Sequence, residues 1–322
     1  MNFTYNSKFA ERIKNFIAQK NALGFPYEGT AMQFRIFDAM CLEQFPEEHI
    51  LTEEICNAWA VKRDTENNNS FGNRLSMMRE FARYLMRNGE EAYVLPANIV
   101  KYCQHYPPYI YSKDEVLQIW EAYDRLSIIE KYPIRNYLFS VMVKLMYCCG
   151  LRPWEPRRLR VCDVDLKKGR LNIMDSKQHR SRIVMMSDDV TELLVECDRK
   201  VSAVKTEREA FFPSYRGSFY AKNGMEEVFR NILNETGLAK DNGHNPRLYD
   251  FRHTFATHRL YQWMREGRDV KAMIPYLSAY MGHSQLSSTY YYIHFVPELL
   301  EEMAGFDFSA TEYLLPEVEI DE

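Results

Sequence analysis

Between Asp163 and Met186 the sequence changes its period. Asp163–Leu166, Arg170–Met174 and Arg182–Met186 are short strand-like runs, joined by Lys167-Lys168-Gly169 and by Lys177-Gln178-His179-Arg180. Elsewhere the apolar residues recur three and four apart, the signature of helices that bury one face. Phe9, Ile13, Phe16 and Ile17 form such a stripe, which stops at Gly24. Segments near 30–45, 52–63 and 71–88 follow, separated by breaks such as Asn67-Asn68-Asn69-Ser70. In the last of these, Leu75, Met78, Phe81 and Leu85 make the buried face. The pattern predicts a mainly α protein with one small antiparallel β-sheet.

The run His105-Tyr106-Pro107-Pro108-Tyr109 reads as a linker, because consecutive prolines stop a helix and stiffen an extended chain. Behind it, Ser112 and Glu115 form a capping-box pair, with Val116, Ile119, Trp120 and Tyr123 as the apolar stripe of the helix they open. A second apolar helix over about 134–149 ends at Gly150, and from about 188 the pattern is helical again, with loops at 211–224 and 238–247. With 322 residues, 46% of them apolar, the chain can support two packed cores. The expected division is a helical domain over 1–106, a mixed domain over 112–304 and an acidic tail over 305–322. The longest apolar stretch, Phe139 to Leu151, is interrupted by Lys144 and is too short to span a bilayer, so a cytoplasmic protein with no membrane partner is expected.

A net charge of −4 argues at first against an anionic partner. Its distribution reverses that argument. From Glu298 onward there are nine acidic residues and no lysine or arginine, so the preceding 297 residues carry a net +5. Between Arg152 and Arg182 ten Lys or Arg residues face four acidic ones. This concentration suits a phosphate backbone, although a solvated charged surface would look the same. The same two readings hold for Arg79, Arg83 and Arg87, which recur every four residues along one helix. The seven cysteines and eight histidines show neither disulfide-framework nor metal-ligand spacing, so neither a metal nor another cofactor is expected.

Four separated sites carry the chemistry. They are Gly150-Leu151-Arg152-Pro153-Trp154-Glu155; Lys177 in the hairpin; the run Tyr249-Asp250-Phe251-Arg252-His253-Thr254-Phe255-Ala256-Thr257; and Met281-Gly282-His283-Ser284 followed by Tyr292-Ile293-His294. The last two resemble the tyrosine recombinase family, also called phage integrases, whose text reads close to HDLRHTFAT and then LGHSS with a tyrosine nine residues after the histidine. His283 and Tyr292 are nine apart. GLRxxE at 150–155 then resembles the family's first arginine box, and Ser176-Lys177 through Arg182-Ile183-Val184 its lysine hairpin. The likeness spans about 112–297.

The resemblance implies a two-domain DNA-breaking-rejoining architecture: a helical, SAM-like core-DNA-binding domain followed by a mixed α/β catalytic domain. It implies double-stranded DNA as partner and four protomers on two sites, alone or with other recombinases of the same element. Arg152 and Arg252 would neutralise the transition state, with Glu155 orienting Arg152. Lys177 would protonate the leaving oxygen, His283 would bond the phosphate or assist the nucleophile, and Tyr292 would become the 3′-phosphotyrosine. Arg180 and Arg182 join the arginine row as DNA-binding candidates. One departure stands out. Where the family has a histidine three residues before its second arginine, this chain has Tyr249, a poor base because a free phenol titrates near 10. His244 is either a substitute from the preceding loop or a surface histidine. Tyr290 and Tyr291 compete with Tyr292, but adjacent helical residues point about 100° apart and only one can face the phosphate. A type IB topoisomerase-like strand transferase, or an accessory DNA-binding subunit with a damaged pocket, remains the alternative. The tail is either a segment that docks on a neighbouring protomer or a loose acidic end.

Overall fold

The computed structural model describes residues 3–24, 27–100, 108–176, 180–239, 245–283 and 285–295. Lys177, His244, the first part of the Pro-Pro linker and the tail from 305 lie outside these ranges, as do the side chains of Arg180 and His294. The chain divides at residue 106 into two compact units.

The first unit contains α1 (Ala10–Ala22), α2 (Glu28–Gln44), α3 (Glu53–Trp59) and α4 (Asn68–Arg87). Phe9, Phe16, Phe34, Phe37 and Phe81 are fully buried, and their rings meet largely edge to face, the arrangement that their quadrupoles favour. The α4 helix starts where the Asn67 side chain accepts from the Ser70 amide at 2.8 Å. The α3 helix stops at Trp59 rather than near 63. Buried Arg74 donates to the Trp59 carbonyl and, at 2.9 Å, to that of Val61, so carbonyls that would otherwise continue the helix are taken by a guanidinium. The arginine row of α4 also needs correction. Arg79 follows Leu75 by four residues and shares its inward face; it is 8% exposed and donates to the Pro96 carbonyl at 3.0 Å. Arg83 and Arg87 are exposed.

The second unit opens with α5 (Lys113–Asp124). The Glu115 carboxylate accepts from the Ser112 amide at 2.7 Å, while the Ser112 hydroxyl accepts from the Glu115 amide at 3.2 Å, completing the capping box. Next come α6 (Arg135–Cys148) and α7 (Trp154–Arg157). Leu138, Phe139, Val141, Met142, Val143, Leu145 and Met146 are all buried, so the long apolar run is a core helix. Among the described residues no helix is long and apolar enough to cross a membrane.

The strands β1 (Val164–Asp165), β2 (Arg170–Ser176) and β3 (Arg180–Met185) form one antiparallel sheet in that order. Val164 pairs with Leu171, and Leu171 with Val184. A 3-10 turn over Val161–Asp163 shortens the first strand relative to expectation, whereas the β2–β3 ladder reaches further, to the pair Ser176 and Arg180. Helices α8 (Asp188–Val204) and α9 (Lys222–Glu235) join α5, α6 and the sheet in one core. The chain continues through α10 (Asp250–Arg265), α11 (Val270–Met281), α12 (Ser287–Tyr290) and a 3-10 turn over Tyr291–Phe295. These last elements enclose a smaller core that contains Phe255, Leu260, Ile274, Met281, Tyr292 and Ile293.

Candidate active site

Two helix ends build the site. Gly150, at φ 59°, closes α6, and Gly282, at φ 68°, closes α11; both adopt the left-handed conformation that ends a helix cheaply only in glycine. Each end leaves carbonyls without a partner inside its own helix. Arg252, in the first turn of α10, is 0% exposed and takes one from each end: its Nη1 donates to the Gly150 carbonyl and its Nη2 to that of Met281, both at 2.6 Å. Its Nε has no partner among the described residues. Burial, with Arg152 nearby, lowers the Arg252 pKa to about 10, so the guanidinium stays charged at neutral pH.

Glu155 is the anionic centre of the cluster. Its carboxylate accepts from the Arg152 amide at 2.8 Å and from Arg152 Nη1 at 3.0 Å. It also receives a two-pronged pair from Arg182, whose Nη1 and Nη2 each lie at 2.7 Å. Arg182 Nε donates to the Tyr280 carbonyl at 2.9 Å, and Arg152 Nη2 to that of Gly282 at 2.9 Å. Burial alone would raise the Glu155 pKa; the hydrogen bonds and charge of Arg182, with Arg252 behind them, outweigh it and hold the carboxyl below its usual value. Arg182, a DNA-binding candidate in the sequence, is therefore not on the surface. Its side chain is 7% exposed and committed to Glu155.

The tyrosine arrives from the other side. Tyr292 is 3% exposed and carried on the 3-10 turn, and its hydroxyl lies 3.1 Å from His253 Nδ1. The His283 ring is 6.0 Å from that of Tyr292 and nearly parallel to it, and His283 Nδ1 is 2.7 Å from the Thr289 hydroxyl. Burial, aided by neighbouring arginines, lowers the His253 pKa to about 4 and that of His283 to about 3. Both imidazoles are thus neutral near pH 7. Burial moves the Tyr292 phenol upward, against the opposing charge of Arg252. Tyr249 is 37% exposed, with its ring 5.0 Å from that of His253. Tyr290 and Tyr291 are half-buried beside the smaller core.

Arg152, Glu155, Arg252, His283 and Tyr292, chosen from separate motifs, thus gather in one place, and Tyr249 borders it. The motifs mark Arg182 as a DNA-binding candidate rather than as a partner of Glu155, and they give His253 no role. The spacing of His253 from Tyr249 was the available signal, since residues four apart share a helix face.

Residues 110–298 match the phage integrase family. The chain is 28% identical over 304 residues to y4rB of Sinorhizobium fredii, a protein named for an integrase or recombinase, covering 92% of this chain and 96% of that one. It is 27% identical over 238 residues to the tyrosine recombinase XerC of Anoxybacillus flavithermus, covering 71% and 72% of the two chains. The fold is also that of the XerH site-specific recombinase in a post-cleavage complex with its palindromic difH substrate, with a TM-score of 0.62, 18% identity, and 86% and 78% of the chains covered. With its family match over more than half its length, this chain belongs to the phage integrase family and is a tyrosine recombinase, an enzyme of site-specific recombination that cleaves and rejoins DNA.

Proposed function

We propose that Tyr292 is the nucleophile of this recombinase and that Arg152, Arg252 and His283 bind the phosphate it attacks. The observation that carries the reading is that Arg152 and His283, just beyond the glycines that close α6 and α11, lie with Arg252 of α10 around the buried Tyr292 side chain. In the forward step a bond forms between the Tyr292 oxygen and phosphorus while the bond from phosphorus to the 5′ oxygen breaks. The product is a 3′-phosphotyrosine and a 5′-hydroxyl. Because the new ester retains the diester linkage, a second DNA hydroxyl reseals the strand without a nucleotide cofactor.

The crowded phosphorane of such a step carries two negative charges. Arg152, Arg182 and Arg252 against the single carboxylate of Glu155 leave two positive charges uncompensated, which complements it. The Arg252 Nε, with no partner among the described residues, is one donor free for a phosphate oxygen. Neutral His283 supplies another in the tautomer whose Nδ1 accepts from the Thr289 hydroxyl, 2.7 Å away, because the ring proton is then on Nε2. Lys177, outside the described residues, is the candidate acid for the leaving 5′ oxygen.

At the level of the whole protein, residues 1–106 serve as the core-DNA-binding domain, with Arg83 and Arg87 toward phosphates, and 112–304 as the catalytic domain. Both act on duplex DNA, and four protomers assemble on two sites in the cytoplasm. A nicked suicide DNA, from which the 5′ fragment diffuses away, tests the catalytic reading. Wild-type protein should accumulate a covalent adduct, and Tyr292→Phe should bind the DNA with similar affinity but form none. Adduct persisting in Tyr292→Phe would move the nucleophile to Tyr290 or Tyr291.

A further inference from the structure

We infer that His253 is the base that accepts the phenol proton of Tyr292, doing from position 253 what the family pattern assigns to a histidine at position 249. The inference rests on the reading of Tyr292 as nucleophile. Its first support is contact: among the described residues, His253 Nδ1 is the hydrogen-bond partner of the Tyr292 hydroxyl, at 3.1 Å, within the reach that proton transfer requires. The second is helix geometry. Positions 249 and 253 are four apart at the start of α10, so their side chains stand on one face, one turn from each other. A base displaced by one turn still faces the same hydroxyl, and the two rings lie 5.0 Å apart.

The third support is elimination. Tyr249 carries a phenol of its own, no better as a base than the group it would deprotonate. His283 has its Nδ1 engaged with Thr289 at 2.7 Å and stacks on the Tyr292 ring rather than meeting its hydroxyl. The groups around His253 also keep it unprotonated before the step. Burial, with the charges of Arg247 before α10 and Arg252 beside it, keeps the ring neutral near pH 7; in the tautomer with its proton on Nε2, Nδ1 accepts from the Tyr292 hydroxyl. Tyr292 and His283 also face it, and burial keeps both uncharged near pH 7. In the step itself the phenol proton passes to Nδ1 as the oxygen–phosphorus bond forms, giving an imidazolium. On rejoining, the imidazolium returns that proton to the departing phenolate, and no other reactant is needed.

The test compares His253→Ala, His253→Asn and Tyr292→Phe on nicked suicide DNA, with a normal 5′ oxygen or a 5′ sulfur at the cleaved bond. The Asn side chain can still accept a hydrogen bond from the phenol but cannot take its proton. Both His253 variants should form adduct roughly 100- to 1,000-fold more slowly than wild type while binding DNA normally, and the deficit should narrow as pH rises and the phenol ionises unaided. Because a thiolate leaves without protonation, the sulfur substrate should not relieve the deficit, and added imidazole should partly rescue His253→Ala. A wild-type rate in His253→Asn would overturn the base assignment, as would relief by the 5′ sulfur. If Tyr292→Phe forms no adduct and His253→Asn is nonetheless fast, only the base assignment fails; adduct in Tyr292→Phe refutes the nucleophile instead.

Discussion

Replacing Glu155 by Gln preserves the shape of the side chain and removes the one negative charge that two arginines share. Glu155 is 2% exposed and accepts four hydrogen bonds, two from Arg152 and two from Arg182. The amide can keep part of this set, but its NH2 group faces guanidinium donors and leaves buried positive charges without a counter-ion. Losing one partner of a buried pair costs about 3–5 kcal/mol. For a domain of 150–250 residues each kcal/mol moves Tm by roughly 2–4 °C, so Tm of the catalytic domain should fall by roughly 6–20 °C. The pH dependence gives a second reading. The folded-state pKa of Glu155 is held below its unfolded value, so its stabilisation is complete above the unfolded value and is lost as pH falls through the folded one. Thermal unfolding from neutral pH down to about 3 should therefore show the wild-type advantage shrinking toward the acid end, with Glu155→Gln flatter over that interval. A Tm within 2 °C of wild type at neutral pH, estimated by the same conversion to be under about 1 kcal/mol, would refute the account of Glu155 as the anionic centre.

Thr289→Val removes the hydroxyl that fixes His283 without changing side-chain size; adduct formation should drop roughly 10-fold with DNA binding intact, in line with the loss of about 1.4 kcal/mol of phosphate binding in the transition state. Unchanged adduct kinetics would mean that His283 needs no help from Thr289. Gly282→Ala places a Cβ 2.8 Å from Arg182 Cδ and forces a side chain into φ 68°, so it should lower Tm by several degrees and slow adduct formation through displaced Arg182 and Arg152. Differential scanning fluorimetry with the suicide-substrate assay checks both effects. Arg83→Ala combined with Arg87→Ala should weaken DNA binding and flatten its salt dependence, measured by mobility shift across ionic strengths, while Arg79→Ala should act through Tm instead.

Much of the site is legible along the sequence because its residues are tied to helix ends. Gly150 and Gly282 punctuate the pattern, and the arginine or histidine that follows each has a position that the helix end dictates. Arg182 is a different matter. On a strand with charged neighbours it reads as surface, and only the fold brings Glu155, 27 positions away, against it. His253 is equally hidden: the 3-10 turn that carries Tyr292 returns to α10 across 39 positions, and no local pattern announces that return. The spacing of Arg79 to Arg83 suggests a surface row, whereas its spacing to Leu75 puts it on the apolar face where it is buried. The sheet and most helices follow from period alone. Their ends shift where a side chain from elsewhere takes the terminal carbonyls, as Arg74 does at α3.

The clasp of Arg252 by two helix termini has a consequence for regulation. A cation lodged between the carboxyl ends of α6 and α11 is surrounded by the negative poles of both dipoles before any DNA arrives, so its charge is placed when the interior packs. Silencing it by local loosening would mean opening the interior itself, which leaves access to the tyrosine, rather than placement of the cation, as the economical point of control.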